Sequence, residues 1–139
     1  MSESRNAQIV KDAYAAFQRG DVNAILNLLT EDIEWEGVKG TEGVLPQAGK
    51  RHGRAAVQEF FGQVVATTQF DTFEPREFIA QGDTVVAIGH YTGKAKPTGL
   101  AIATDWVMVF AFRGDKIASF REFTDSAQIV KAFGPPAGV

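Results

Sequence analysis

The chain has 139 residues, of which 45% are hydrophobic, and its 14 basic and 17 acidic residues give a net charge of −3. This length fits one domain that can bury a core without disulfide or metal cross-links, so we predict a single domain over residues 1–139. The sequence contains no cysteine, which excludes disulfides, thiol nucleophiles and sulfur-ligated zinc. The mild charge, without a basic stripe, excludes a typical nucleic-acid partner.

The N-terminal segment gives no sign of export or membrane insertion. It is polar and helical in its periodicity, and it lacks the apolar core of a secretory signal. No run approaches the roughly 20 apolar residues of a membrane span. We therefore expect a cytoplasmic protein without a membrane partner.

Two amphipathic helices and a strand are predicted first. Apolar residues recur at helical spacing between residues 9 and 17, and Gly20 can end this helix. Asp21 can cap a second helix over residues 22–29. The alternation of apolar residues and glutamates at 31–37 then predicts a short strand.

A long loop and a third helix separate this strand from a run of further strands. Residues 37–53 contain five glycines and a proline, and loops of this length are often lids or binding elements. A helix is expected from about Arg54. The pattern then predicts four strands joined by tight turns, at residues 73–80, 83–95, 101–112 and 116–124.

The C-terminal segment predicts a last helix and a tail. Asp125 can cap this helix. A Gly-Pro-Pro run at 134–136 stops it, which leaves residues 135–139 as a loose tail. Helices segregated from strands in this way are typical of the α+β class, with helices packed on one face of a curved sheet.

These elements, with the stretches 13–35, 48–61, 73–89 and 112–125, resemble the nuclear-transport-factor-2-like superfamily. The closer resemblance is to its SnoaL-like, ketosteroid-isomerase-related branch. It implies a cone-shaped fold, in which a bent antiparallel or mixed sheet wraps around three N-terminal helices and encloses an apolar cavity. Relatives include isomerases, dehydratases, polyketide cyclases, an epoxide hydrolase and binding modules, so the fold alone does not select a function.

The resemblance also allows the catalytic positions of two relatives to be checked. The tyrosine, the base and the buried acid of ketosteroid isomerases fall on Ala13, Gly37 and Met108, so strict ketosteroid isomerisation is not expected. The epoxide hydrolase carries a Trp-Arg-Asp-Tyr-Phe-Asp run on its last strand. The matching run at residues 120–125 keeps a carboxylate in the form of Glu122.

Strand neighbours point to opposite faces, so only one of Arg121 and Glu122 can face the cavity. A two-residue turn at Gly114-Asp115 would direct Arg121 inward, and glycine at the first turn position favours it. A three-residue turn beginning at Arg113 would direct Glu122 inward, opposite Trp106, and the resemblance favours this register. We adopt the second register as the prediction.

Glu122 and His90 are the predicted catalytic pair. A carboxylate inside an apolar cavity has a raised pKa, which suits a general acid or base near neutral pH, and imidazole titrates in the same range. They would serve a cofactor-independent isomerase, cyclase, dehydratase or hydrolase. The plainer alternatives are structural roles for both residues, with a protein that only binds a ligand or only dimerises.

The expected ligand is a small hydrophobic molecule, because large aromatic side chains line concave pockets as well as fill cores. The predicted cavity wall consists of Tyr14, Phe17, Trp35, Phe60, Trp106, Met108, Phe110 and Phe120. No cofactor is expected. No metal site is expected either, because the acidic cluster at residues 31–36 lacks a nearby histidine and alternates towards solvent.

A homodimer is expected through the outer face of the sheet. Its apolar patch would consist of Val107, Val109, Ala111, Ile117 and Phe123.

Overall fold

The structure is a computed structural model that describes residues 2–134, and the predicted loose tail at 135–139 lies outside them. The described residues form helices α1 (Glu3–Gln18), α2 (Val22–Leu26), α3 (Arg54–Thr67) and α4 (Ser126–Phe133). The strands are β1 (Leu29–Gly37), β2 (Gly49–His52), β3 (Thr68–Gln81), β4 (Thr84–Ala95), β5 (Ala101–Arg113) and β6 (Lys116–Thr124). Within residues 2–134, no helix combines the length and the apolar character needed to cross a bilayer.

The strands form one curved, unclosed sheet in the order β2-β1-β6-β5-β4-β3. Neighbouring strands are antiparallel except β1 and β6, which run parallel, so the sheet is mixed. The helices cover its concave face and bury the core between them and the strands. The α+β class and the cone-like arrangement predicted from the sequence are confirmed.

Side-chain caps fix the beginnings of three helices. The Ser2 hydroxyl accepts from Arg5 N–H at the start of α1, and carboxylates of Asp21 and Asp125 cap α2 and α4. Helix α2 ends at Leu26, earlier than the apolar periodicity predicts, because Leu29 already belongs to β1.

The predicted loop at 37–53 contains a strand that the sequence pattern misses. Strand β2 pairs antiparallel with β1, with Trp35 opposite Arg51. The Arg51 guanidinium donates to Pro46 O and to Gln63 Oε1, which fixes this segment against α3. A four-residue strand held by a charged side chain carries no apolar alternation, so periodicity cannot detect it.

Two glycines of β4 allow the sheet to bend. Gly89 and Gly93 lie opposite β3 at the two places where bulges interrupt its pairing with β4. A Cβ atom at Gly89 would collide with the Trp106 ring and the Glu74 carbonyl oxygen, and one at Gly93 would collide with the Gln69 carbonyl. β3 can therefore fold closely over β4 only because both positions lack a side chain.

The β5–β6 hairpin corrects the predicted turn. Its turn consists of Gly114 and Asp115 alone, with Arg113 paired to Lys116. A bulge at residue 118 then shifts the register, so that Glu122 pairs with Met108 rather than with Trp106. The bulge adds one unpaired residue to β6, which returns Glu122 to the inner face that the incorrect three-residue turn also predicted.

The two-residue turn places one residue of the predicted outer patch in the core, opposite Phe112. Ile117 is fully buried, although it was assigned to the outer face with Val107, Val109, Ala111 and Phe123. Ile117 and Phe120 lie three residues apart and both are buried, which a regular strand does not permit. The other four residues of the patch are partly exposed.

Candidate functional site

A pocket of about 90 Å³ lies between the helices and the concave face of the sheet. Its wall is mostly aromatic and aliphatic, with contributions from all four helices, five of the strands and the segment between β1 and β2. Seven of the eight residues predicted for the wall line it: Tyr14, Phe17, Trp35, Phe60, Met108, Phe110 and Phe120.

Trp106, the eighth, does not line this pocket. Its ring lies against Gly89 and stacks on Tyr14 and Phe73, with centroid separations of 5.3 Å and 5.1 Å. The side chain is 1% exposed. The prediction is corrected because the missing Cβ of Gly89 leaves room for the indole to fill the core beside the pocket.

Glu122 lies in the pocket wall, on the inner face of β6. Its side chain is buried, and Oε1 accepts a hydrogen bond of 3.2 Å from the Val38 backbone N–H. The neighbouring Arg121 is exposed on the outer face, where its guanidinium lies over the Phe123 ring. Of the two adjacent charges, the carboxylate is therefore the one inside.

Burial raises the pKa of Glu122 from 4.5 to about 7, and the hydrogen bond from Val38 opposes this shift only in part. Removal from water penalises the charged form of a carboxyl group, whereas a donor to the carboxylate favours that form. Near pH 7 the protein thus holds both protonated and ionised Glu122 in an apolar environment, which is the condition for a general acid or base.

The donor to Glu122 sits on a strained backbone. Val38 has φ +43°, a left-handed conformation that is rare for a β-branched residue. The buried Thr41 holds it, since its Oγ1 and its backbone N–H both donate to Val38 O, at 2.7 Å and 3.2 Å. Strain of this kind persists only where surrounding contacts enforce it, and here it directs one N–H at Glu122.

Two tyrosines share the pocket with Glu122. Burial, followed by the negative charge of Glu122, raises the pKa of both Tyr14 and Tyr91. The Tyr14 hydroxyl donates to Met108 Sδ at 2.9 Å. Both phenols remain neutral at physiological pH and are therefore hydrogen-bond donors at the pocket wall.

His90 does not join Glu122. It lies on the outer face of β4, where its Nδ1 is 2.9 Å from Asp105 Oδ1 on the neighbouring strand. The predicted pairing of His90 with Glu122 is wrong, because Tyr91 and not His90 has its side chain on the inner face of β4. Both faces of β4 carry apolar residues before this point, so alternation in the sequence does not reveal which face is inward.

Four polar elements of the wall were missed by the sequence analysis: Val38 N–H, Gln47, Thr68 and Tyr91. The available signal for Tyr91 was its position on β4, an even number of residues from the apolar Val85. Val38 and Gln47 lie in the segment between β1 and β2 and Thr68 begins β3, and only tertiary contacts place these three in the wall.

Two carboxylates of the acidic cluster of β1 have surface partners. Asp32 pairs with Arg113 at 2.6 Å, and Glu34 lies 2.7 Å from His52 Nδ1. Across residues 2–134, no group of three or more histidine or carboxylate side chains is arranged to hold a metal ion.

The chain is similar to a known domain and to several solved structures. The pattern of the SnoaL-like domain matches residues 10–120. An NTF2-like protein from Burkholderia xenovorans LB400 is 36% identical, with a TM-score of 0.86 over 96% of this chain and 99% of that chain. An NTF2-like protein of unknown function from Burkholderia pseudomallei K96243 is 26% identical, with a TM-score of 0.86 over 97% and 100%.

A third similar structure comes from a co-crystallisation with an organic molecule. TerC, co-crystallised with polyporic acid, is 27% identical to this chain, with a TM-score of 0.82 over 93% of this chain and 98% of TerC. No curated protein sequence matches the chain.

Proposed function

Because the chain belongs to the SnoaL-like family of the nuclear-transport-factor-2-like superfamily, and because its apolar pocket holds a buried carboxyl group, we propose that it binds a small hydrophobic molecule and moves a proton on it. The observation that carries the proposal is Glu122, buried in the pocket wall with a pKa of about 7. A carboxylate without a functional role is typically exposed to solvent or paired with a cationic side chain, and Glu122 has neither arrangement.

The reaction type that fits is proton abstraction next to a carbonyl group, as in an isomerase or a cyclase. Ionised Glu122 takes a proton from carbon. In an isomerisation, protonated Glu122 returns the proton to another carbon of the same molecule. In a cyclisation, the carbanion instead forms a bond to a second carbonyl carbon, and the oxygen of that carbonyl group takes the proton from Glu122. Negative charge develops on the carbonyl oxygen between these steps. The neutral hydroxyl of Tyr91 is a donor that can stabilise this charge in a dry pocket.

The comparison with TerC supports an organic ligand. TerC was crystallised with polyporic acid and aligns over 93% of this chain. We propose that this chain also binds an organic molecule, in the apolar pocket that contains Glu122. Polyporic acid is a suitable first probe of this binding.

Glu122→Gln should lower catalysed proton exchange at least 100-fold, in line with the usual 10²–10⁴-fold contribution of a general acid or base. The measurement is NMR detection of deuterium incorporation next to the carbonyl of cyclic ketones and polyketide-like diketones in D₂O. Arg121→Gln is the matched control, since it changes the adjacent residue on the outer face, and it should retain full exchange.

The same experiment tests the alternative of binding without turnover. Ligands that bind to the wild type without any exchange would favour a binding protein and contradict the catalytic proposal. Failure of polyporic acid and of the whole ketone panel to bind would contradict the pocket's assigned role as well.

We also propose that the outer face of the sheet forms a homodimer. Val107, Val109, Ala111 and Phe123 make a partly exposed apolar patch on adjacent strands β5 and β6. Val109→Lys should shift the mass measured by light scattering from dimer to monomer. Val65→Lys on α3, where the side chain is 64% exposed, is the control and should leave the mass unchanged. A monomeric wild type would contradict the proposal.

A further inference from the structure

The pocket contains a polar side chain with unused hydrogen-bonding capacity. Gln47 lines the pocket and is 2% exposed. Its Nε2 donates to Thr67 Oγ1 at 2.8 Å, whereas its Oε1 has no hydrogen-bond partner among residues 2–134. A buried acceptor left unpaired is destabilising, and this one belongs to a side chain of the pocket wall, where a ligand can supply the missing donor.

The orientation of this amide is fixed by its neighbour. The nearest acceptor to Thr67 Oγ1 is Gln63 O at 2.8 Å, closer than Thr68 Oγ1 at 3.3 Å and Val64 O at 3.4 Å. With its hydrogen directed at Gln63 O, the Thr67 hydroxyl accepts from Gln47 Nε2 at 2.8 Å. The free atom of the amide is consequently the carbonyl oxygen, which selects a ligand group with an N–H or O–H donor.

The acceptor lies on a different wall from the carboxyl group. Gln47 is tied to Thr67, which directly precedes β3, while Glu122 is on β6, and strands β4 and β5 separate β3 from β6 in the sheet. The wall residues on β4 and β5 are Tyr91, Met108 and Phe110. A ligand in contact with both groups thus has an apolar body with one polar group at each end.

We propose that Gln47 Oε1 accepts a hydrogen bond from a ligand hydroxyl, so that the substrate class is a hydroxylated apolar ring compound. The inference rests on the proposed function, since it describes the molecule on which Glu122 acts. Gln47 determines specificity, and the hydroxyl it binds is distinct from the group that reacts at Glu122.

Phenol and toluene test this inference, because they have nearly the same shape and differ in one hydroxyl. The measured quantity is the ratio of the toluene Kd to the phenol Kd, from NMR titration of the wild type and of Gln47→Met. Methionine keeps the length of the side chain without the acceptor. We expect this ratio to fall about tenfold in the variant, which corresponds to one buried hydrogen bond.

Gln69→Met, at an exposed position of β3, is the matched control and should keep the wild-type ratio. An unchanged ratio in Gln47→Met would overturn the inference while leaving ligand binding intact. A fall of the Kd ratio in Glu122→Gln but not in Gln47→Met would also overturn the inference, since the phenol hydroxyl would then be bound by Glu122. Failure of both compounds to bind the wild type would overturn the proposed function and this inference together.

A measurement on the wild type alone covers the case in which Gln47→Met does not fold. The ¹³C shift of the Gln47 side-chain carbonyl should move downfield on addition of phenol and stay in place on addition of toluene. Equal shifts with both compounds would contradict the hydrogen bond.

Discussion

The stability of the wild-type protein should fall as the pH rises from about 4.5 to about 7, and Glu122→Gln should remove this fall. Glu122 has a folded-state pKa of about 7 against an ordinary value of 4.5. Between these values the folded protein binds the proton and the unfolded chain releases it. The folded state therefore loses up to about 3 kcal/mol as the pH rises through the folded-state pKa.

The measurement is urea unfolding at several pH values, with the difference between wild type and variant as the result. Glutamine resembles the protonated acid, so the two proteins should be similarly stable at pH 4.5 and the variant should be more stable at pH 8. Asp32 does not disturb this window, because its ion pair with Arg113 lowers its pKa to about 2.

Glu77→Gln is a suitable control, since it removes an exposed carboxyl group from β3. It should keep the wild-type pH profile. A wild-type profile in Glu122→Gln would mean that Glu122 is ionised in the folded protein throughout this range, and the acid-base proposal would lose its support.

The arrangement of helices and strands was predictable because local signals agree with it. Asp21 and Asp125 cap helices where the sequence places them, and the boundary between β5 and β6 falls at the predicted hairpin, although the turn has two residues instead of three. Strand β2 was missed, because its four residues, Gly49–His52, include no apolar side chain that could alternate with polar ones.

The inward orientation of Glu122 was predicted through an incorrect turn. Two registers of a strand that differ by an even number of residues place a given side chain on the same face of the sheet, because side chains alternate with a period of two. The predicted pairing of Trp106 with Glu122 and the observed pairing of Met108 with Glu122 differ by two residues. The predicted face of Glu122 was thus correct, whereas its predicted cross-strand partner was wrong.

The remaining site residues depend on tertiary structure. The orientation of Tyr91 and His90 is set by the pairing of β4 with β5 rather than by composition. Val38 reaches Glu122 only through the turn that Thr41 holds, and Gln47 enters the wall through Thr67. Contacts between residues far apart in the chain leave no local signal in a single sequence.

Gly89→Ala should destabilise the protein by about 3 kcal/mol or more, at the upper end of overpacking costs. The added methyl group would meet the Trp106 ring on one side and the Glu74 carbonyl oxygen on the other. The indole could move only by disturbing its stacking on Tyr14 and Phe73, and the backbone of β3 could move only by opening its pairing with β4. Chemical unfolding measures the loss.

Gly62→Ala is the matched control, because a Cβ at this exposed position of α3 meets no atom within 4 Å. Alanine should stabilise the helix there by about 0.5–1 kcal/mol. Opposite signs for the same chemical change would show that the cost at Gly89 comes from close approach and not from the added methyl group.

Because Trp106 packs between Gly89 and Tyr14 of the pocket wall, Gly89→Ala should also weaken ligand binding, whereas Gly62→Ala should leave it unchanged. A Gly89→Ala protein as stable as the wild type would contradict the close approach of β3 and Trp106 to Gly89. It would also contradict the packing of Trp106 behind Tyr14 of the pocket wall.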